Sequence, residues 1–189
     1  MKNEITGMKL RLIVMNFLQF AVWGAYLTSM GTYLFNIGLG AKIGLFYAMQ
    51  GIVSLFMPAI MGIIADRWVP AQKLYGFCHF MAAVFMVAAG WYGYVDGEAV
   101  NFGTLFTFYS LSVAFYMPTL ALTNSVAYTA LDKVKLDPVI AFPPIRIFGT
   151  IGFICSMLLT DILGFQNNYM QFFSCACFGV ILAGFSVSF

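Results

Sequence analysis

PVIAFPPIRIFGTIGFICSMLLT, residues 138–160, decides how this chain is read. The run is 23 residues long, and Arg146 is its only charged residue. About 20 apolar residues are enough to carry a helix across a bilayer. A charge held inside such a span costs at least ~2.5–3.5 kcal/mol on insertion scales. Residues kept there at that cost face a water-filled cavity and handle polar or charged cargo.

The same pattern extends in both directions. Residues 12–41, 43–65, 74–95, 99–131 and 162–189 contain no Asp, Glu, Lys or Arg. The chain as a whole is 62% hydrophobic and 8% charged, where soluble domains carry roughly 25% charged residues. A soluble fold could not cover its surface with so few charges. The runs are too long for the ~10-residue alternating segments of a membrane β-barrel. The expectation is an all-α membrane protein, a bundle of six transmembrane helices at roughly 10–34, 42–64, 73–94, 102–126, 138–163 and 168–189. Short links rich in Gly, Asn or acidic residues join them at 35–41, 95–101 and 164–168.

Lys and Arg orient the bundle. Lys2, Lys9, Arg11, Arg67, Lys73, Lys133 and Lys135 fall on one side; Lys42 falls on the other, beside Asp96, Glu98 and Asp161. This bias puts both ends in the cytoplasm, and the expected location is the cell's inner (plasma) membrane, as a multi-pass protein. The first apolar run is too long for a signal peptide. The last run ends at Phe189 with no basic flank, so the chain reads as the first part of something longer. A net charge of +2 gives no reason to expect a nucleic-acid partner. Cys78, Cys155, Cys175 and Cys177 lie in apolar runs and read as small buried residues. Cys175 and Cys177 stand about 200° apart on a helix, unsuited to a metal site or disulfide.

Several polar stripes lie inside the spans. Asp137-Pro138 reads as an N-cap followed by proline at the first helical position. Pro143 and Pro144 are expected to kink that helix just before Arg146 and free backbone carbonyls. Arg146, Thr150, Phe153 and Met157 then share one face. A five-donor cation, a hydroxyl and an aromatic ring suit a planar, oxygen-rich ligand. The bland reading is an arginine snorkelling to the surface from a helix that starts only at Pro143. In the first span, Asn16, Gln19, Trp23, Tyr26 and Met30 form a second stripe, readable as cargo contacts at Gln19 and Trp23 or as interhelical glue. Tyr109, Ser112, Tyr116, Thr119 and Thr123, with Gln50 and Ser54, allow the same two readings. Asp66 and Arg67 close the second span and suit a charge relay that locks neighbouring helices. His79, the single histidine, reads as a structural residue near a membrane interface. No nucleophile–base pair, phosphate loop, metal cluster or cofactor motif stands out, which argues against an enzyme.

Together these segments look familiar. Gly62-x-x-x-Asp66-Arg67 resembles the loop signature of the major facilitator superfamily. FLQFAVWGAYLTSMGTYLF (17–35), LFMPAIMGIIADRWV (55–69), FYMPTLALTNSVAY (115–128) and FPPIRIFGTIGF (142–153) resemble the bacterial nucleoside:proton symporters within it, the nucleoside permeases. The resemblance implies that Arg146, Thr150 and Phe153 contact the nucleoside, with Gln19, Trp23 and Tyr116 as further candidates and Asp66 and Arg67 as the conformational switch. It implies a proton as coupling ion, no other cofactor, and a twelve-helix fold of which this is the N-terminal six-helix half. The coupling carboxylate and most polar nucleoside ligands would belong to the absent half, so this chain alone should not transport. One departure is clear: Trp68, Val69, Pro70 and Ala71 stand where the signature has a glycine and basic residues. The alternatives are another facilitator cargo, such as a sugar or organic anion, or a membrane scaffold without transport.

Overall fold

The computed structural model describes residues 2–189, and they form helices joined by short turns. In order these are α1 (Lys2–Gly24), α2 (Met30–Asn36), α3 (Ile43–Arg67), α4 (Ala71–Asp96), α5 (Phe102–Lys133), α6 (Pro138–Ile162) and α7 (Met170–Ser186). Single 3-10 turns at Gly40–Lys42, Gly97–Ala99 and Phe165–Asn167 fill three of the links. Five segments are long and apolar enough to cross a membrane, and α7, at 17 residues, is shorter. On α4, Phe77, Phe80, Val84, Val87 and Trp91 form one exposed apolar stripe, as expected of a face turned to lipid.

The first span departs from the expected single helix over 10–34. α1 starts at Lys2 and stops at Gly24; residues 25–29 unwind, and α2 resumes at Met30. No proline causes the break. Its freed carbonyls are taken by neighbours instead: Thr160 of α6 donates to the Ala25 carbonyl at 3.1 Å, and the Tyr47 hydroxyl of α3 donates to the Leu27 carbonyl at 2.6 Å. A broken helix inside a membrane survives only where protein satisfies its backbone, and here two other helices do so. The last helix is also shorter than expected, Met170–Ser186 instead of 168–189.

The packing pairs are α1 with α6, α4 with α5 and α7, and α3 with α5. Small residues set the close approaches, as membrane bundles require in the absence of a hydrophobic force between helices. Gly149, Gly152, Ser156 and Thr160 lie buried on one side of α6. A Cβ at Gly152 would collide with the Phe17 backbone carbonyl of α1, and one at Gly24 with the Phe153 carbonyl. Likewise Gly76 of α4 meets Ser186 of α7, and Gly179 of α7 meets Ala83 of α4. Cys78 and Cys175 are buried, whereas Cys155 and Cys177 are exposed. The expectation of four buried thiols fails for the two whose helix faces turn outward.

Two caps fix where the spans begin. The Asn101 side chain accepts from the Gly103 amide at 2.8 Å at the head of α5. Asp137 accepts from the Val139 amide at 2.9 Å, with Pro138 as the first residue of α6. The helix therefore begins well before Pro143, contrary to the snorkelling reading. It also runs unbroken through Pro143 and Pro144. The donors these prolines lack would have served the carbonyls of Val139 and Ile140, in the exposed first turn of the helix. The freed carbonyls thus lie N-terminal to Arg146 and not beside it.

Candidate functional site

Arg146 lies about 12 Å along α6 from its first residue, at 1.5 Å per residue. It is half-buried, and its guanidinium sits over the Phe20 ring of α1, 4.1 Å from the centroid. Gly149, one turn on, leaves room for this stack: a Cβ there would lie 2.7 Å from the Phe20 ring and 3.0 Å from the guanidinium. Among the described residues the guanidinium has no carboxylate or other hydrogen-bond partner. Its five donors remain available, while the aromatic face holds the charge in place.

Thr150 and Phe153 continue the same face. Thr150 is exposed and Phe153 is half-buried. Trp23 of α1 stands edge-on to Phe153, with ring centroids 6.3 Å apart, and tilts against Phe20 and Tyr116 at 6.3 and 6.2 Å. The Trp23 indole donates to the Gln50 side chain at 3.0 Å, and the Gln50 amide donates to the Tyr109 hydroxyl at 2.6 Å. The indole orientation is thus fixed from α3 and α5. An unpaired guanidinium, a free hydroxyl and two rings with held orientations meet on one open face.

Gln19 and Tyr116 lie behind this face and do not open onto it. Gln19 is 0% exposed. Its amide donates to the Thr119 hydroxyl at 2.8 Å. Its carbonyl oxygen takes Tyr75, His79 and Thr123 at 2.7, 2.8 and 3.0 Å. Tyr116 donates to the Gln19 backbone carbonyl at 2.7 Å. Every polar atom of the Gln19 side chain is used, tying α1 to α4 and α5. A direct cargo contact at Gln19 is therefore not supported in this structure, and the glue reading of its stripe fits it. Asn16 is also buried, but it donates within its own helix, to the Leu12 carbonyl at 2.9 Å. Tyr109, Ser112, Thr119 and Thr123 are buried and hydrogen-bonded inside the bundle. His79 is fully buried in α4.

Asp66 and Arg67 are exposed at the end of α3 and form no ion pair among the described residues. Phe20 is the site residue that sequence reading passed over. Its signal was present: it lies three residues before Trp23, on a helix face beside the polar stripe, but an apolar ring in a membrane span attracts no notice by itself.

Comparison with known proteins places this geometry in context. A family model described as "Nucleoside H+ symporter" matches residues 6–189. The chain is 38% identical over 185 residues to the nucleoside permease NupG of Escherichia coli (strain K12), covering 96% of this chain and 42% of that protein. It is 38% identical over 181 residues to the xanthosine permease of the same organism, covering 95% and 42%. It matches the crystal structure of nucleoside transporter NupG with a TM-score of 0.87 at 38% identity, over 96% of this chain and 44% of that one. The chain thus spans less than half the length of these relatives, and it has the fold of the N-terminal half of a major facilitator. With its membrane-spanning helices and this match along nearly its whole length, the chain belongs to the nucleoside H+ symporter family.

Proposed function

We propose that this chain forms the N-terminal half of a proton-coupled nucleoside transporter, and that the Arg146–Thr150–Phe153 face, with Trp23, is its share of the nucleoside site. One observation carries the reading: a guanidinium within an apolar span that has no counter-ion or hydrogen-bond partner among the described residues and rests on Phe20. An uncompensated charge in a span is retained for cargo. Its planar donors suit ribose hydroxyls and base carbonyls, and the two rings suit a base. The relatives' names, nucleoside permease and xanthosine permease, point to the same cargo class over a sugar or organic anion.

The carboxylates of this chain, Glu4, Asp66, Asp96, Glu98, Asp132, Asp137 and Asp161, all lie at or beyond the ends of the apolar runs. A proton-coupling carboxylate at the midplane would then come from a second six-helix half, which would also close the site by alternating access. Gln19 and Tyr116 act as positioning residues behind the face. Asp66 and Arg67, exposed and unpaired, suit a switch against that second half. The Lys and Arg bias supports both ends lying in the cytoplasm, and the likeness to Escherichia coli permeases supports a place in the inner membrane.

The test is uptake of labelled uridine against a labelled sugar by cells expressing the full-length transporter. Uridine uptake supports the proposal; sugar uptake alone would assign another cargo, and uptake of neither would leave a scaffold. Cysteines placed at Asp96 and Lys133 in a cysteine-free background test the topology. Labelling from outside is expected at 96, and labelling at 133 but not 96 would invert it.

A further inference from the structure

A cavity of about 10 Å³ lies inside the bundle, lined by Val22, Tyr26, His79, Ser112, Tyr116 and Cys175 among others. It sits apart from the Arg146 face. Two of its lining residues carry a fully buried polar atom with no partner among the described residues, the Tyr26 hydroxyl and His79 Nδ1.

The protonation of His79 follows from the hydrogen bonds around Gln19. Thr119 has one hydroxyl proton and donates it to the Tyr116 carbonyl at 2.6 Å. It can then only accept from Gln19, 2.8 Å away, so the amide nitrogen of Gln19 points at Thr119. The Gln19 oxygen therefore faces Tyr75 and His79 Nε2, with Thr123 sharing its one proton between that oxygen and the Thr119 carbonyl. An oxygen only accepts, so His79 Nε2 carries the proton and Nδ1 is a bare acceptor. Tyr26, with a free hydroxyl proton, is a donor lining the same cavity. Ser112 lines it too; its proton goes to the Ala82 carbonyl at 2.8 Å, which leaves its oxygen able to accept.

One donor and two acceptors around a space the size of one water form a water site: such a site needs about 10–15 Å³ and 2–4 polar partners. We infer that a single ordered water occupies this cavity, accepting from the Tyr26 hydroxyl and donating to His79 Nδ1 and Ser112 Oγ. The water joins the unwound segment after α1 to α4 and α5, so the break in the first span is tied down by solvent as well as by Thr160 and Tyr47. The inference stands independently of the nucleoside reading, since no cargo group takes part.

His79 is the only histidine of this chain, and its signals are assigned by their loss in His79→Gln. The experiment is ¹⁵N-histidine NMR of the full-length transporter in detergent at pH 7, with magnetisation transfer from water. The expected result is one protonated nitrogen, Nε2, one bare nitrogen, Nδ1, and a cross-peak from a long-lived water to the ring. Tyr26→Phe, which keeps the ring and removes the donor, should weaken that cross-peak at least several-fold while the tautomer persists. A proton on Nδ1, a doubly protonated ring, a missing water cross-peak, or a cross-peak unaltered by Tyr26→Phe would each overturn the inference.

Discussion

Arg146 and Gln19 are polar residues in the interior of neighbouring helices, and the structure treats them in opposite ways. Gln19 is sealed, with every side-chain polar atom bonded to another helix. Arg146 is half open, rests on a ring, and has its donors unspent. A polar group in a membrane span must be satisfied by something. Where the bundle satisfies it, the residue is holding helices together. Where the bundle does not, the partner must come from elsewhere, and that is the mark of a site.

The strongest disturbance of the open side comes through the α1–α6 contact, which brings Arg146 onto Phe20. Gly152→Leu pushes a side chain into the Phe17 backbone. Overpacking costs ~1–3 kcal/mol even where side chains can move aside, and here the obstacle is backbone. The expected outcome is loss of monodisperse folded protein on size exclusion. A well-folded variant would show that the two helices do not pack this closely.

Gln19→Leu removes three interhelical hydrogen bonds and the one Thr123 shares with the Thr119 carbonyl. Such bonds average ~0.6 kcal/mol each in a membrane bundle, so a loss of about 2 kcal/mol is expected, read as a lower melting temperature in detergent. In the protein that remains folded, nucleoside affinity should stay within a few-fold. Unchanged stability with a collapse of affinity would move Gln19 from the frame into the site.

Phe20→Leu tests the support beneath the open charge. A cation–π contact contributes ~0.5–2 kcal/mol, so nucleoside affinity should weaken about 2- to 30-fold with the fold intact. An unaltered affinity would mean that Arg146 needs no such platform. Asp66→Asn should have the smallest effect on binding. Uptake should slow while equilibrium affinity stays within a few-fold, because Asp66 lies exposed at the end of α3, away from the face. Loss of affinity without loss of fold would contradict a switching role.

The open side was more legible in the sequence than the sealed side. The Arg146, Thr150 and Phe153 face follows from helical spacing alone, and the start of α6 follows from Asp137-Pro138, because caps and periodicity are local. Whether a polar stripe faces a cavity or a neighbour is not local: Gln19 and Thr150 look alike in sequence, and only the packing of α4 and α5 buries one. The break over residues 25–29 was equally hidden. No glycine–proline signal marks Ala25-Tyr-Leu-Thr-Ser29, and the carbonyl partners that make the break tolerable lie on α3 and α6. Phe20 escaped because the charge its ring meets is contributed by a residue more than a hundred positions away.

The most direct test of the contrast is calorimetry of uridine binding to the purified full-length transporter carrying Arg146→Ala. Charge-assisted hydrogen bonds contribute ~1.5–3 kcal/mol each, so losing two or more should take binding below detection. The protein should remain folded, because removing an uncompensated charge eases insertion. Arg146→Lys should rescue only in part, since a point charge cannot reproduce the planar fork. Wild-type affinity in the alanine variant would show that Arg146 belongs with Gln19 among the structural residues, and the site assignment would fall with it.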